Sequence, residues 1–309
     1  MTGARKTCWS LGLCAAMFAA CAMPDESAAA GAQGMSANAR SLERTSTRDP
    51  AIELRSHRAA YRLELDDVKR SSPMVGVQGG LVMEWRASCE GWLSNQRLAF
   101  VAERPEAPPF LYDVRFSSWE SLDHDKLRFV VRSFDDGRLF ETWQGQASLD
   151  PPVEDGLRGG VARFVAPADE SLTLPAGTIF PTAHMQRLLE AARRGDRMLV
   201  QKVFDGSGPD ALTLVTAVIG EARDGKDAAG GEPQRQWPVS LAYFRLDDAA
   251  AEGVVDRSAR DMLDAGPDFE ISFTLGSGGV LQDVVLDYGD FAMRGVLEDI
   301  EVFTPPTCE

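Results

Sequence analysis

The chain has 309 residues, with 32 Lys and Arg against 47 Asp and Glu, for a formal net charge of −15. Hydrophobic residues make up 44% and charged residues 26%, a balance that excludes a wholly disordered chain, a collagen and a polytopic membrane protein. So acidic a chain also argues against nucleic acid and anionic membrane surfaces as partners, since both need clustered Lys and Arg.

Arg5 and Lys6 precede an uncharged run from Thr7 to Met23 that includes Trp9, Leu11, Leu13, Met17 and Phe18. A basic start, a short apolar core and a small-residue tail predict a secretory signal peptide over residues 1–30, with Ala28 and Ala30 meeting the small-residue rule for cleavage. The run is shorter than the roughly 20 apolar residues of a membrane-spanning helix. Phe18-Ala19-Ala20-Cys21 offers an alternative, lipidation on Cys21 and anchoring to the membrane. No other long apolar run exists, so an integral membrane protein is not expected.

Cys8, Cys14 and Cys21 fall within the leader, which leaves Cys89 and Cys308. Two cysteines in an oxidising compartment most simply pair, two free thiols being the alternative. In the chain-entropy model, closing so long a loop removes roughly 5 kcal/mol of unfolded-state freedom. Such a bond is expected to pin the C-terminus to an early strand and tie the end of the sheet to its beginning. Two sulfurs with the scattered His57, His124 and His184 do not predict a metal site.

Residues 31–50 are small, polar and charged, and read as a flexible tether. From residue 51 to 309 a single domain is expected, dominated by two-residue periodicity. Tyr61, Leu63 and Leu65 alternate with Arg62, Glu64 and Asp66; Leu81, Met83 and Trp85 lie opposite Glu84 and Arg86; Leu98 and Phe100 alternate with Arg97 and Ala99, and Tyr112, Val114 and Phe116 with Asp113 and Arg115. Leu127-Phe129-Val131, Leu139-Glu141-Trp143 and Val161-Arg163-Val165 continue the pattern. Each predicts a strand with one wet and one buried face. Met198 to Phe204, Leu212 to Ile219, Val239 to Leu246, Phe269 to Leu275, Val280 to Tyr288 and Phe291 to Phe303 follow, joined by Gly-, Asp- and Pro-rich turns.

One segment differs. Thr182 is placed to cap a helix that runs to Arg194 and stops at Gly195, with Met185, Leu188, Leu189 and Ala192 forming an apolar stripe. Met185, Leu188 and Leu189 are therefore a packing face or a partner surface. The 222–235 segment reads as a mobile loop, and 249–266 as an insertion with room for a second short helix. The predicted fold is all-β with one or two helices: a large antiparallel sheet curled into a spiral or open barrel around a central amphipathic helix.

Chemistry is sparse. Asp287-Tyr288-Gly289-Asp290 and Asp205-Gly206-Ser207-Gly208-Pro209-Asp210 set carboxylates around glycines, which suits turns better than metal loops. His124 lies between Asp123 and Asp125, and His184 in the first turn of the predicted helix. There is no nucleophile motif, no phosphate loop and no dinucleotide fingerprint, so neither a catalytic residue nor a cofactor is predicted.

Six short motifs then occur in a telling order: Cys89-Glu90-Gly91-Trp92, Phe180-Pro181-Thr182-Ala183-His184, Phe204-Asp205-Gly206-Ser207, Trp237 through Phe244, Asp287 through Phe291, and Pro305-Pro306-Thr307-Cys308. The whole resembles the EipB family of periplasmic cell-envelope-integrity proteins over about residues 57–308. The resemblance implies a spiral, open-barrel sheet of about fourteen strands and a disulfide at the positions of Cys89 and Cys308. It implies a periplasmic, non-enzymatic role in keeping the envelope intact; with that role, stress resistance is expected, and envelope proteins or lipids are the expected class of partner. A lipid or lipoprotein carrier with an apolar concave face is one alternative, and a hydrolase of envelope polymers another.

Overall fold

The computed structural model describes residues 54–308 apart from 71, 153–155, 209, 231–232 and 247–265. The expected signal peptide, the tether, the alternative at Cys21 and nearly all of the 249–266 insertion lie outside the described residues.

Alternation in the sequence becomes pleat in the structure. In β1 (His57–Val68), Ala59, Tyr61 and Leu63 are buried while Arg58 and Arg62 face water. Seven more strands continue as antiparallel neighbours: β2 (Gly76–Ala87), β3 (Gly91–Arg104), β4 (Ala107–Ser121), β5 (Lys126–Asp135), β6 (Arg138–Leu149), β7 (Gly160–Ala166) and β8 (Glu170–Leu174). The β5–β6 turn is Asp136-Gly137, with φ of 48° and 77°, the double left-handed geometry that matches strand twist in a two-residue hairpin. After β9 (Thr178–Ile179) and α1 (Pro181–Arg194) the chain resumes as β10 (Met198–Phe204), β11 (Leu212–Ile219), β12 (Arg223–Gly225), β13 (Gln234–Arg245), β14 (Phe269–Gly276), β15 (Leu281–Asp287) and β16 (Phe291–Val302).

All sixteen strands among the described residues belong to one sheet, ordered β8-β7-β6-β5-β4-β3-β2-β1-β16-β15-β14-β13-β11-β10-β9, with β12 paired to β13 beside this path. Without the short β9 and β12, the fourteen strands implied by the family resemblance remain. The first and last long strands meet in mid-sheet, where His57 lies opposite Val302 and Leu63 opposite Gly295. The free edges are therefore β8 and β9, and only residues 175–177 separate them in sequence. A link that short holds the two edges within about 14 Å at that end, so the sheet curls into a nearly closed barrel with a seam.

The barrel's interior holds α1. Leu188 and Leu189 are fully buried, and Met185 and Ala192 nearly so. The stripe is thus a packing face and not a partner surface. Across the same interior, Phe129 on β5 packs edge-on against Phe164 on β7 and Phe204 on β10, with ring centroids 5.5 and 5.8 Å away. These rings join the two arms of the sheet on either side of the seam. Gly206, at φ 81°, lets the turn after β10 lie directly on Phe129, where a Cβ would run into the ring.

Several expectations need correction. The N-cap of α1 is Phe180, and Pro181 occupies the first helical position; Thr182 lies inside the helix and caps nothing with its side chain. Proline suits that place because its fixed φ is helical and it has no N–H to leave unpaired. On β7, Ala162 and Phe164 face inward while Val165 is 59% exposed, the reverse of the predicted phase. On β6, Leu139 is exposed although Trp143 packs on Phe164 at 5.7 Å. Phe140 is the extra residue where β6 runs against β5, which turns Leu139 outward while Trp143 stays inward, and Val165 is the extra residue where β7 runs against β6, as in β-bulges. The 222–235 segment is partly β12, and its Asp227 is held by Arg55 at 2.9 Å and by Gln234 Nε2 at 3.1 Å.

Truncation of the helix stripe tests this packing. Leu188→Ala should lose about 2–5 kcal/mol in urea unfolding, the cost of a cavity in a core that cannot collapse around it. A loss under half a kcal/mol would place the stripe at the surface.

Candidate functional site

The side chains that hold the interior together converge where α1 enters the barrel. Glu120 lies on the core-facing period of β4 and is 1% exposed. Its two carboxylate oxygens accept the free N–H groups of Thr182 at 2.7 Å and Ala183 at 2.9 Å. A carboxylate from β4 thus does what the predicted Thr182 cap does not, satisfying the first-turn amides and facing the positive end of the helix dipole. His124 Nδ1 donates to the same carboxylate, and its Nε2 donates to Gln186 Oε1 at 2.9 Å. Burial alone would lower the His124 pKa; the bond to Glu120, that carboxylate's charge and Gln186 outweigh burial and the nearby Arg187, and raise it above the ordinary value. Strand β4, the β4–β5 loop and α1 are thereby tied by one polar network.

His184 follows Ala183 in the first turn of α1. It is buried, and among the described residues neither ring nitrogen makes a well-formed hydrogen bond. Burial pushes its pKa down to about 4, with Gln201 opposing the shift and Arg187 adding to it. The ring is therefore held neutral.

Asp205 Oδ1 accepts Ser207 N at 2.8 Å, and Asp287 Oδ1 accepts Gly289 N at 2.7 Å, so both carboxylate motifs are turn-builders. Among the described residues, no group of three or more His, Cys, Asp or Glu side chains is placed to hold a metal ion. Glu120 was recoverable from the sequence: it is an acid on the buried phase of β4, in register with Val114, Phe116 and Ser118. Its partner helix, about sixty residues further on, was not.

Cys89 and Cys308 stand at bonding distance, with Sγ atoms 2.10 Å apart and Cα atoms 5.5 Å apart. Cys89 lies in the turn between β2 and β3 and not in a strand. Nor does the bond close the sheet, because β16 is already paired with β1 on one side and β15 on the other. It fastens the tail beyond β16, which is also held by Phe303 N donating to Ser56 O at 2.9 Å and by Arg86 stacked 3.8 Å above the Phe303 ring.

The EipB-like family profile matches residues 48–304. The Cell envelope integrity protein EipB of Brucella abortus is 32% identical over 260 residues, covering 82% of this chain and 86% of that protein. A crystal structure of a beta-barrel-like protein of a domain of unknown function, also from Brucella abortus, superposes with a TM-score of 0.69 at 32% identity, covering 82% of this chain and 99% of that one.

Two outcomes follow from the site. Replacing Cys89 and Cys308 with Ser should lower stability by about 2–5 kcal/mol while leaving the far-ultraviolet spectrum unchanged, because the bond acts mainly on the unfolded chain. Two reactive thiols per native wild-type chain would refute the pairing. For His184, the folded pKa lies below the unfolded 6.5, so the unfolded state gains a proton first as pH falls. Stability is unaffected by this group above pH 6.5, declines as pH falls from there, and levels near pH 4, a difference of about 3 kcal/mol. Urea midpoints of wild type and His184→Gln should converge over that window; parallel curves would show that the ring is not held neutral.

Proposed function

The chain belongs to the EipB-like family, and from that premise we propose that it is a periplasmic, non-enzymatic protein that supports the integrity of the cell envelope through contact with envelope proteins or envelope components. The observation that carries this reading is the match, over most of both chains, to a relative named for cell envelope integrity. The bonded cysteine pair supports an oxidising compartment, in keeping with the predicted leader.

The interior supports a structural role over a carrier. The space a lipid would occupy inside the curl is taken by α1 and by the Phe129, Phe164 and Phe204 rings. Hydrolysis would need a nucleophile, a base and donors for a developing charge around one reacting atom. The buried carboxylate of Glu120 is instead fully engaged with two amides and an imidazole.

Deleting the gene should make cells more sensitive to detergents and to cell-wall antibiotics. The full chain should restore resistance, and a version lacking residues 1–30 should not. Unchanged sensitivity in the deletion strain, or rescue by the leaderless chain, would overturn the proposal.

A further inference from the structure

The outer face of β3 to β7 carries charge of the wrong sign for this chain. The protein as a whole has a net charge of −15, yet Arg97, Arg115, Lys126, Arg128, Arg132 and Arg163 project from this one face. Asp113 neutralises part of it, accepting Arg97 at 2.9 Å and Arg115 at 2.7 Å. Lys126, Arg128, Arg132 and Arg163 have no carboxylate partner among the described residues. With 47 acids available in the sequence, four neighbouring cations left unpaired form a surface that attracts anions.

The same face is also hollowed. A concavity of about 510 Å³ is lined by Leu93, Trp119, Arg128, Gln144, Gln146 and Val165, among others, and a second of about 350 Å³ adjoins it, sharing Arg128 and Gln146 and adding Lys126 and Arg163. The strand register explains the line-up. Leu93 lies opposite Trp119, Trp119 opposite Arg128, Arg128 opposite Gln146, and Gln146 opposite Arg163. Five side chains thus form one row across five strands, about 19 Å long at ordinary strand spacing. Within the row, the Arg128 guanidinium stands 5.2 Å from the centre of the Trp119 ring, a cation–π contact that leaves its N–H groups free to bond outward.

We propose that this row binds an anionic glycan, a chain of sugar rings bearing carboxylate or phosphate groups. The three side-chain types divide the work. The indole of Trp119 offers an apolar aromatic surface to the C–H face of a sugar. Gln144 and Gln146 each present a donor and an acceptor, which suits hydroxyl groups that are both. Arg128 and Arg163 pair with the acidic substituents, with guanidinium geometry matched to carboxylate or phosphate. An acidic peptide would use the cations and have little need of the amides. This inference supplies a ligand class for the envelope role proposed above and rests on it for its biological setting, while the binding test stands without it.

The test measures binding of a hexagalacturonate to the purified protein at low salt, with maltohexaose and hexaglutamate as comparisons, by calorimetry and by tryptophan fluorescence. Hexagalacturonate should bind, with affinity falling as salt rises. Arg128→Ala with Arg163→Ala, and separately Gln144→Ala with Gln146→Ala, should each weaken it by about tenfold or more at an unchanged melting temperature; these exposed positions leave the core intact, and tenfold corresponds to about 1.4 kcal/mol. Maltohexaose and hexaglutamate should bind at least about tenfold more weakly. Failure of hexagalacturonate to bind, equal binding of hexaglutamate, or indifference to both double variants would each overturn the proposal. An intact binding curve beside a normal deletion phenotype would remove the envelope role and leave the glycan site standing.

Discussion

A twisted sheet of this many strands must dispose of its two edges, and this constraint governs the rest of the structure. Here β1 and β16 pair in the middle of the sheet, so the edges fall on β8 and β9, which are consecutive in the chain. Three residues cross from one edge to the other, and Gly177 at φ 86° makes the crossing, with its N–H donating to Arg158 O at 3.0 Å. The seam is therefore closed by sequence adjacency and by the packing behind it, and not by a ladder of strand hydrogen bonds. That assigns the helix and the Phe129–Phe164–Phe204 cluster a role that strand pairing serves in a fully closed barrel.

Placing a helix inside a sheet creates a second difficulty, because its first amides are removed from water. Glu120 answers it with a buried carboxylate that would be costly on its own and is compensated by three donors and the helix dipole. The exchange is mutual: the helix gains a cap, the acid gains partners, and the β4–β5 loop is fixed through His124. The neutral His184 beside this network shows that the site discriminates sharply between two imidazoles on the basis of the acceptors near each ring.

Much of this was legible in the sequence where the signal is local. Two-residue alternation located the long strands, the Met185–Leu188–Leu189 spacing located the helix, and the cysteine count paired Cys89 with Cys308. The failures share a cause. The start of β6 and the end of β7 pass through bulges at Phe140 and Val165, and strict two-residue counting carries the wrong phase across such an extra residue. Thr182 has the chemistry and place of a local cap, whereas the cap comes from Glu120 on β4. The pairing of Cys89 with Cys308 is legible in the cysteine count but its task is not, since the order of strands in the sheet decides what a bond between two of their ends can close. The outer groove was invisible for the same reason, because Leu93, Trp119, Arg128, Gln146 and Arg163 become one row only when five strands are in register.

The pairing of β1 with β16 also dictates an order of events as the chain emerges from its N-terminus. The meander from β1 to β8 can form early, since each strand pairs with its neighbour in sequence. One edge of β1 then waits, with its hydrogen-bonding groups open, until nearly the whole remaining chain has arrived. A long-lived open strand edge is a template for mispairing with another copy. The half-made protein is thus most vulnerable at the strand that ends up most protected, and the last strand to appear is the one that removes the hazard.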